Sequence, residues 1–189
     1  MRILRTFAAA ALLTASSWAA DTYDYRVLAT AKTSTMEKEL NEAADAGYEF
    51  NSVMGGDTAM GGKEVVVVMS KVAGAKAGAR KKYKLLATSK TSTMQKEIQA
   101  MGDEGFEFRG QTVFESTFGG REVAIIMELD STKPPQRIEF KLLSTSKTST
   151  MQKELLEAGK EGFALTGLTV GKTALGGNEI ISIMRRSGK

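Results

Sequence analysis

From Tyr25 to Ala31 the side chains alternate, Tyr25, Val27 and Ala29 against Arg26, Leu28 and Thr30, a period of two that predicts a strand. The period then changes. Met36, Leu40, Ala43 and Ala44 recur at helical spacing while Lys38, Glu39, Glu42 and Asp45 fall elsewhere, so a helix with one apolar face follows at once. Gly47 ends it, at the position where a left-handed backbone is needed. A second strand is expected from Tyr48 to Met54 and, beyond a glycine-rich turn, a third from Glu64 to Lys71. Val65 to Val68 runs without a polar break, which places the third strand in the middle of its sheet, covered on both faces.

This pattern is written three times. Lys-Thr-Ser-Thr-Met stands at Lys32 to Met36, Lys90 to Met94 and Lys147 to Met151, and Gly47, Gly105 and Gly162 keep the same steps of 58 and 57 residues. The fold class is therefore α+β, three tandem βαββ repeats, each a three-stranded sheet of order 1-3-2 with one helix. Their spans are 21–73, 83–130 and 138–189, separated by an Ala/Gly/Lys-rich linker at 74–82 and a linker at 131–137 that contains Pro134-Pro135. One helix covers only one face of such a sheet, and units of this size seldom stand alone with the other face in water. A compact pseudo-threefold assembly, sheets inward and helices outward, is the expected arrangement; separate beads on linkers are its rival.

Composition removes several chemistries. There is no histidine and no cysteine, which excludes imidazole acid–base work, thiolate nucleophiles, disulfides and the usual zinc, haem and iron–sulfur ligands. No calcium-loop spacing, Gly-x-Ser-x-Gly elbow or phosphate loop occurs. No catalytic residue, metal or cofactor is assigned. Residues 1–20 read as a secretory leader: basic Arg2 and Arg5, an apolar run from Phe7 to Leu13, then Ser17-Trp18-Ala19-Ala20. The run is too short to span a bilayer, so the expected location is periplasmic or secreted. Without Arg2 and Arg5, 24 basic residues face 22 acidic ones, no signature of nucleic-acid binding.

The candidate site is the repeated cassette, namely Lys32, Thr33 and Ser34, Lys90, Thr91 and Ser92, and Lys147, Thr148 and Ser149. At a strand-to-helix junction the free amides of the first turn, the hydroxyls and an ammonium can converge on an anion. A plainer reading competes, because Ser34-Thr35-Met36-Glu37 and its copies, which carry Gln95 and Gln152 in place of Glu37, have the form of a capping box. Methionine, ten in the chain, suits copper(I), but Met36, Met94 and Met151 lie on the apolar helix face and Met69, Met127 and Met184 in the central strand, where Met fills a core. The glycine pairs Gly61-Gly62, Gly119-Gly120 and Gly176-Gly177 join two strands and read as hairpin turns. The expected function is a non-catalytic binding or scaffold module for an anion, an envelope polymer or a protein. The alternative is a hydrolase or lyase that pairs Lys32, Lys90 or Lys147 with Glu64, Glu122 or Glu179.

Tyr83-Lys84-Leu85 opening a strand, Gly47-Tyr48-Glu49-Phe50 and Gly105-Phe106-Glu107-Phe108 closing helices, and Ile183-Met184-Arg185-Arg186 ending a strand resemble a family of small bacterial βαββ domains of unknown function. The resemblance covers nearly the whole chain after the leader and implies a fold, with no site residue to carry over. Family members often carry Trp after the helix-ending Gly, where this chain has Tyr48, Phe106 and Phe163, and the third copy has Ala164 in place of Glu. Trp18 is the single tryptophan. Protein recovered from the periplasm or medium is therefore expected to show tyrosine emission alone, and indole fluorescence there would mean that the leader had been kept.

Overall fold

The computed structural model describes residues 21–58, 62–75, 80–115, 121–172 and 177–188. The leader, and most residues of the expected glycine turns (Gly61, Gly119, Gly120 and Gly176), lie outside the described residues. The first unit consists of β1 (Tyr23–Thr30), α1 (Thr33–Asp45), β2 (Glu49–Thr58) and β3 (Gly62–Val72). The second consists of β4 (Lys81–Thr88), α2 (Thr91–Asp103), β5 (Glu107–Glu115) and β6 (Arg121–Asp130), and the third of β7 (Ile138–Thr145), α3 (Thr148–Lys160), β8 (Ala164–Lys172) and β9 (Asn178–Ser187). The sheets have the orders β1-β3-β2, β4-β6-β5 and β7-β9-β8. The central strand is antiparallel to both neighbours, so the first and second strands run parallel, as the crossover helix requires. β4 begins at Lys81, inside the segment read as linker.

Local chemistry accounts for the helix ends. Gly47, Gly105 and Gly162 have φ of 86°, 87° and 86°. Around the first, the Tyr48 amide donates to the Ala43 carbonyl at 3.0 Å and the Gly47 amide to Ala44 at 2.8 Å, the paired bonds of a Schellman ending. The copies repeat these bonds. One extra residue bulges from each second strand at the same place, Asn51, Arg109 and Thr166.

The units do not surround a common axis with their helices outside. Met36, Leu40, Ala43 and Ala44 of α1 are buried among Leu28, Val65, Val67 and Met69 of their own sheet and, on the other side, Tyr83, Ala124 and Ile126 of the next. Met94 and Ile98 of α2 likewise lie between Val123, Ile125 and Met127 and the third unit's Ile138, Phe140, Ile181 and Ile183. The layers alternate sheet, helix, sheet, helix, sheet, helix. The apolar outer face of each later sheet takes the preceding helix as its cover, so packing runs from neighbour to neighbour as in a repeat protein. The pseudo-threefold expectation is corrected accordingly, and the shared clusters dispose of separate beads.

The stack is also held along the edges. Asn41 brackets β4, its Oδ1 accepting from the Tyr83 amide and its Nδ2 donating to the Tyr83 carbonyl, both at 3.0 Å, while a Glu37 carboxylate oxygen accepts from the Leu85 amide at 3.0 Å. On β7, Gln99 accepts from the Phe140 amide at 2.9 Å and donates to the Ile138 carbonyl at 3.1 Å. Gln95 accepts from the Leu142 amide at 2.7 Å and donates to the Phe140 carbonyl at 3.0 Å. These bonds satisfy edge groups that a sheet otherwise leaves open. The inner edges meet as well: a Cβ on Gly110 would come within 2.9 Å of Val53 and 3.0 Å of the Phe50 ring, and one on Gly167 within 2.6 Å of Phe108.

Leu40→Ala is expected to cost about 2–5 kcal/mol, the range for a methylene cavity in a tight core, and to lower hydrogen-exchange protection in both β3 and β6. Leu155→Ala, the matching change in half-covered α3, should cost clearly less. Loss of protection confined to the first unit would contradict the shared helix.

Candidate functional site

Each cassette stands at its own helix start, one per helical layer, and no hydrogen bond or ion pair links one to another among the described residues. Thr33, Thr91 and Thr148 are the first helical residues, which makes Lys32, Lys90 and Lys147 the N-caps. Their extended backbone is fixed by the threonine two residues earlier: Thr30 and Thr88 accept from the Lys32 and Lys90 amides at 3.1 Å, and Thr145 from Lys147 at 3.3 Å. The first helical bonds run from Met36 to the Lys32 carbonyl and from Met94 and Met151 to their counterparts. The amides of the three intervening residues therefore have no intrahelical acceptor.

The capping box does not form. Ser34, Ser92 and Ser149 lie inside the helices, and no N-cap makes a side-chain hydrogen bond. The N-cap amide is already satisfied by threonine, while the edge of the following sheet offers unsatisfied groups. Glu37 and Gln95 therefore reach outward to β4 and β7 rather than back to their own cap. Glu37 is also paired with Lys84 at 2.9 Å.

A lysine N-cap is unusual, because a cation there faces the positive end of the helix dipole. None of the three helices has an acidic residue in its first turn. The three ammonium groups are exposed and have no ion-pair partner among the described residues. The pairing of these lysines with Glu64, Glu122 or Glu179, on which a Lys/Glu enzyme would depend, is thus not formed; Glu179 instead accepts from the Ser144 hydroxyl. Thr33 and Ser34 border an open cleft of about 400 Å³ with Glu37, Lys38, Asn41 and Leu85.

A second cleft, about 720 Å³, lies between the second and third units and went unread in the sequence. Glu128, 4% exposed, is a buried charge in its lining. Tyr83 donates its phenol hydrogen to Glu128 Oε2 at 2.8 Å, and Lys81 and Arg109 stand 3.1 and 3.0 Å from Oε1. The Phe50 amide donates to the Tyr83 oxygen at 3.0 Å, so the network ties the first unit to the second. Arg109 is the bulged residue of β5. The one signal in the sequence was an acid directly after the apolar run Val123 to Met127.

The network's chemistry is that of a clamp. Burial first, and then the neighbouring Glu128 charge, push the Tyr83 phenol far above its ordinary range. Both Glu128 oxygens are engaged, so neither group offers an idle base or nucleophile. Other cations at this cleft are also paired, Arg185 with Glu107 and Arg186 with Glu139. Among the described residues no group of His, Cys, Asp and Glu could hold a metal ion, and no helix is long and apolar enough to cross a membrane. No family model matches the chain, and neither a curated protein nor a solved structure matches it.

Because the folded state keeps the Tyr83 proton more tightly than the unfolded chain does, its contribution is complete below about pH 10, the ordinary tyrosine value, and declines as the pH rises further. Wild-type protein is expected to lose about 1.4 kcal/mol per pH unit above that point relative to Tyr83→Phe. At pH 7 the same variant should be less stable by about 1–3 kcal/mol, since a buried donor and acceptor lose their partner. Denaturant titrations across pH 7 to 12 check both, and parallel profiles would contradict the buried phenol.

Proposed function

We propose that this chain is an exported, non-catalytic binding module whose three cassettes take anionic groups, either from an envelope polymer or from an acidic protein. Its leader-like first twenty residues motivate the location, periplasmic or secreted. The observation that carries the binding reading is the lysine at all three helix starts, with no acid in the first turn and, among the described residues, no ion-pair partner for the ammonium. A cation at that position opposes the helix dipole, so stability gives no reason to place it there. An anion bound by the free amides, the hydroxyls of Thr33, Ser34 and their copies, and the lysine would offset the opposition. The cassette occurs three times along the stack, and a polymer that reached more than one copy would gain from multivalency. An enzymatic reading has less support, because the Lys/Glu pairs that it needs are absent among the described residues.

Changing Lys32, Lys90 and Lys147 together to Met keeps much of the stem and removes three charges. Sulfate, phosphate or an acidic glycan should raise the melting temperature of the wild type through binding to the folded state, and the triple variant should lose most of that rise. Without such anions, at low salt, the variant should be no less stable than the wild type, because a cation has left the positive end of each dipole. Equal responses of the two proteins at matched ionic strength would remove the cassettes as sites.

A further inference from the structure

The stack has two unlike ends, and each lacks what the interior provides. At one end the outer face of the first sheet is uncovered: Tyr25 and Val27 are 66% and 65% exposed, with Tyr23 and Met54 beside them. The equivalent residues of the second sheet, Tyr83 and Leu85, lie under α1, and Tyr83 is 1% exposed. At the other end α3 covers only its own sheet. Leu156 is 57% exposed, and Gln152, the counterpart of the brackets Glu37 and Gln95, has no hydrogen-bond partner among the described residues.

Gly159 sharpens the point. Its counterpart in α2, Gly102, has a reason to be glycine, since a Cβ there would come within 2.4 Å of the Ile138 carbonyl oxygen and 2.8 Å of the Phe140 ring on the next sheet. A Cβ on Gly159 would meet nothing within 4 Å, yet the helix still carries a glycine, which weakens it. The residues that pressed on Gly102 correspond to Tyr23 and Tyr25 of the first unit.

We propose that α3 of one copy docks on the β1 face of a second copy, repeating between chains the contact that α1 makes with β4 and α2 makes with β7. The partner residues match. Gln152 would meet the Val27 amide as Gln95 meets Leu142, and Tyr25 would lie over Gly159 as Phe140 lies over Gly102. Leu156 replaces the polar brackets Asn41 and Gln99 where the facing side chains are Tyr23 and Tyr25, an apolar residue against an apolar patch. On the inner edge, Phe50 over Gly110 and Phe108 over Gly167 become Leu165 over Ser52, a smaller side chain where the facing residue has gained a Cβ. Leu165 is itself exposed. Such an interface is heterologous, head to tail, and forms rings or filaments according to whether its rotation closes.

Two variants test it without disturbing the fold. Val27→Glu alters an exposed side chain at the head, and Gly159→Glu adds a side chain at the tail where the structure leaves open space. Sedimentation velocity of the purified wild type is expected to show association that rises with concentration, while each variant alone sediments as a monomer. An equimolar mixture should give a one-to-one dimer and nothing larger, because one intact head and one intact tail remain. The proposal is overturned if the wild type stays monomeric up to about 1 mM, the weak limit of specific binding, if its association survives Gly159→Glu, which would mean head-to-head pairing, or if the mixed variants stay monomeric.

Discussion

A three-stranded sheet with one helix has a second apolar face and two open edges, and everything in this fold follows from how those are closed. The solution is a helix used twice. Leu40 and Ile98 are fully buried because α1 and α2 each have a sheet on both sides, whereas no helix in a separate βαββ unit could be. Burial on two sides makes each unit's stability conditional on its neighbour, the defining economy of repeat proteins. The apolar face supplies most of the attraction, and the edge brackets from Glu37, Asn41, Gln95 and Gln99 set the register at which the helix lies across the strand.

Periodicity made the elements and the 1-3-2 order legible, since the unbroken runs Val65 to Val68 and Val123 to Met127 mark central strands; the expectation of two covered faces holds for the second run but not for the first, where Val66 and Val68 lie on the open outer face and are only half-buried. Layering was not legible. The pattern says that a face is covered but is silent on whether a sheet or a helix covers it, and pseudo-threefold closure and a stack bury the same residues. The supposed capping partners misled for a related reason. Glu37 and Gln95 sit at the capping-box spacing, but a side chain goes to the stronger unmet demand, and the amide of Leu85 or Leu142 on an open strand edge outranks a cap amide that Thr30 or Thr88 has already satisfied.

Positions where the three copies differ carry the information that repetition hides. Ser70, Glu128 and Arg185 occupy one position in the three units, and only the middle one is a carboxylate that Tyr83, Lys81 and Arg109 can surround. The third unit has Phe140 in place of Tyr83 and thus no phenol to donate. A consensus reading of the repeat would average this clamp away. Asymmetry of the same kind separates Asn41 and Gln99, which have a strand edge to bracket, from Leu156, which has none among the described residues.

The cassettes show the opposite behaviour. Core positions have drifted between copies, Leu40 to Ile98 and Ala43 to Met101, although packing constrains them tightly. Lys-Thr-Ser-Thr is unchanged at three exposed helix starts where packing constrains little. Part of that identity is local, because the residues after the strand-ending Thr30, Thr88 and Thr145 must let the chain turn into the helix. The lysine is not local in this sense: its backbone is set by Thr30, Thr88 or Thr145, its side chain pairs with no acid among the described residues, and its charge opposes the dipole. A residue that the fold does not use, present three times at a position where it costs a little stability, is the ground on which an anionic partner is proposed.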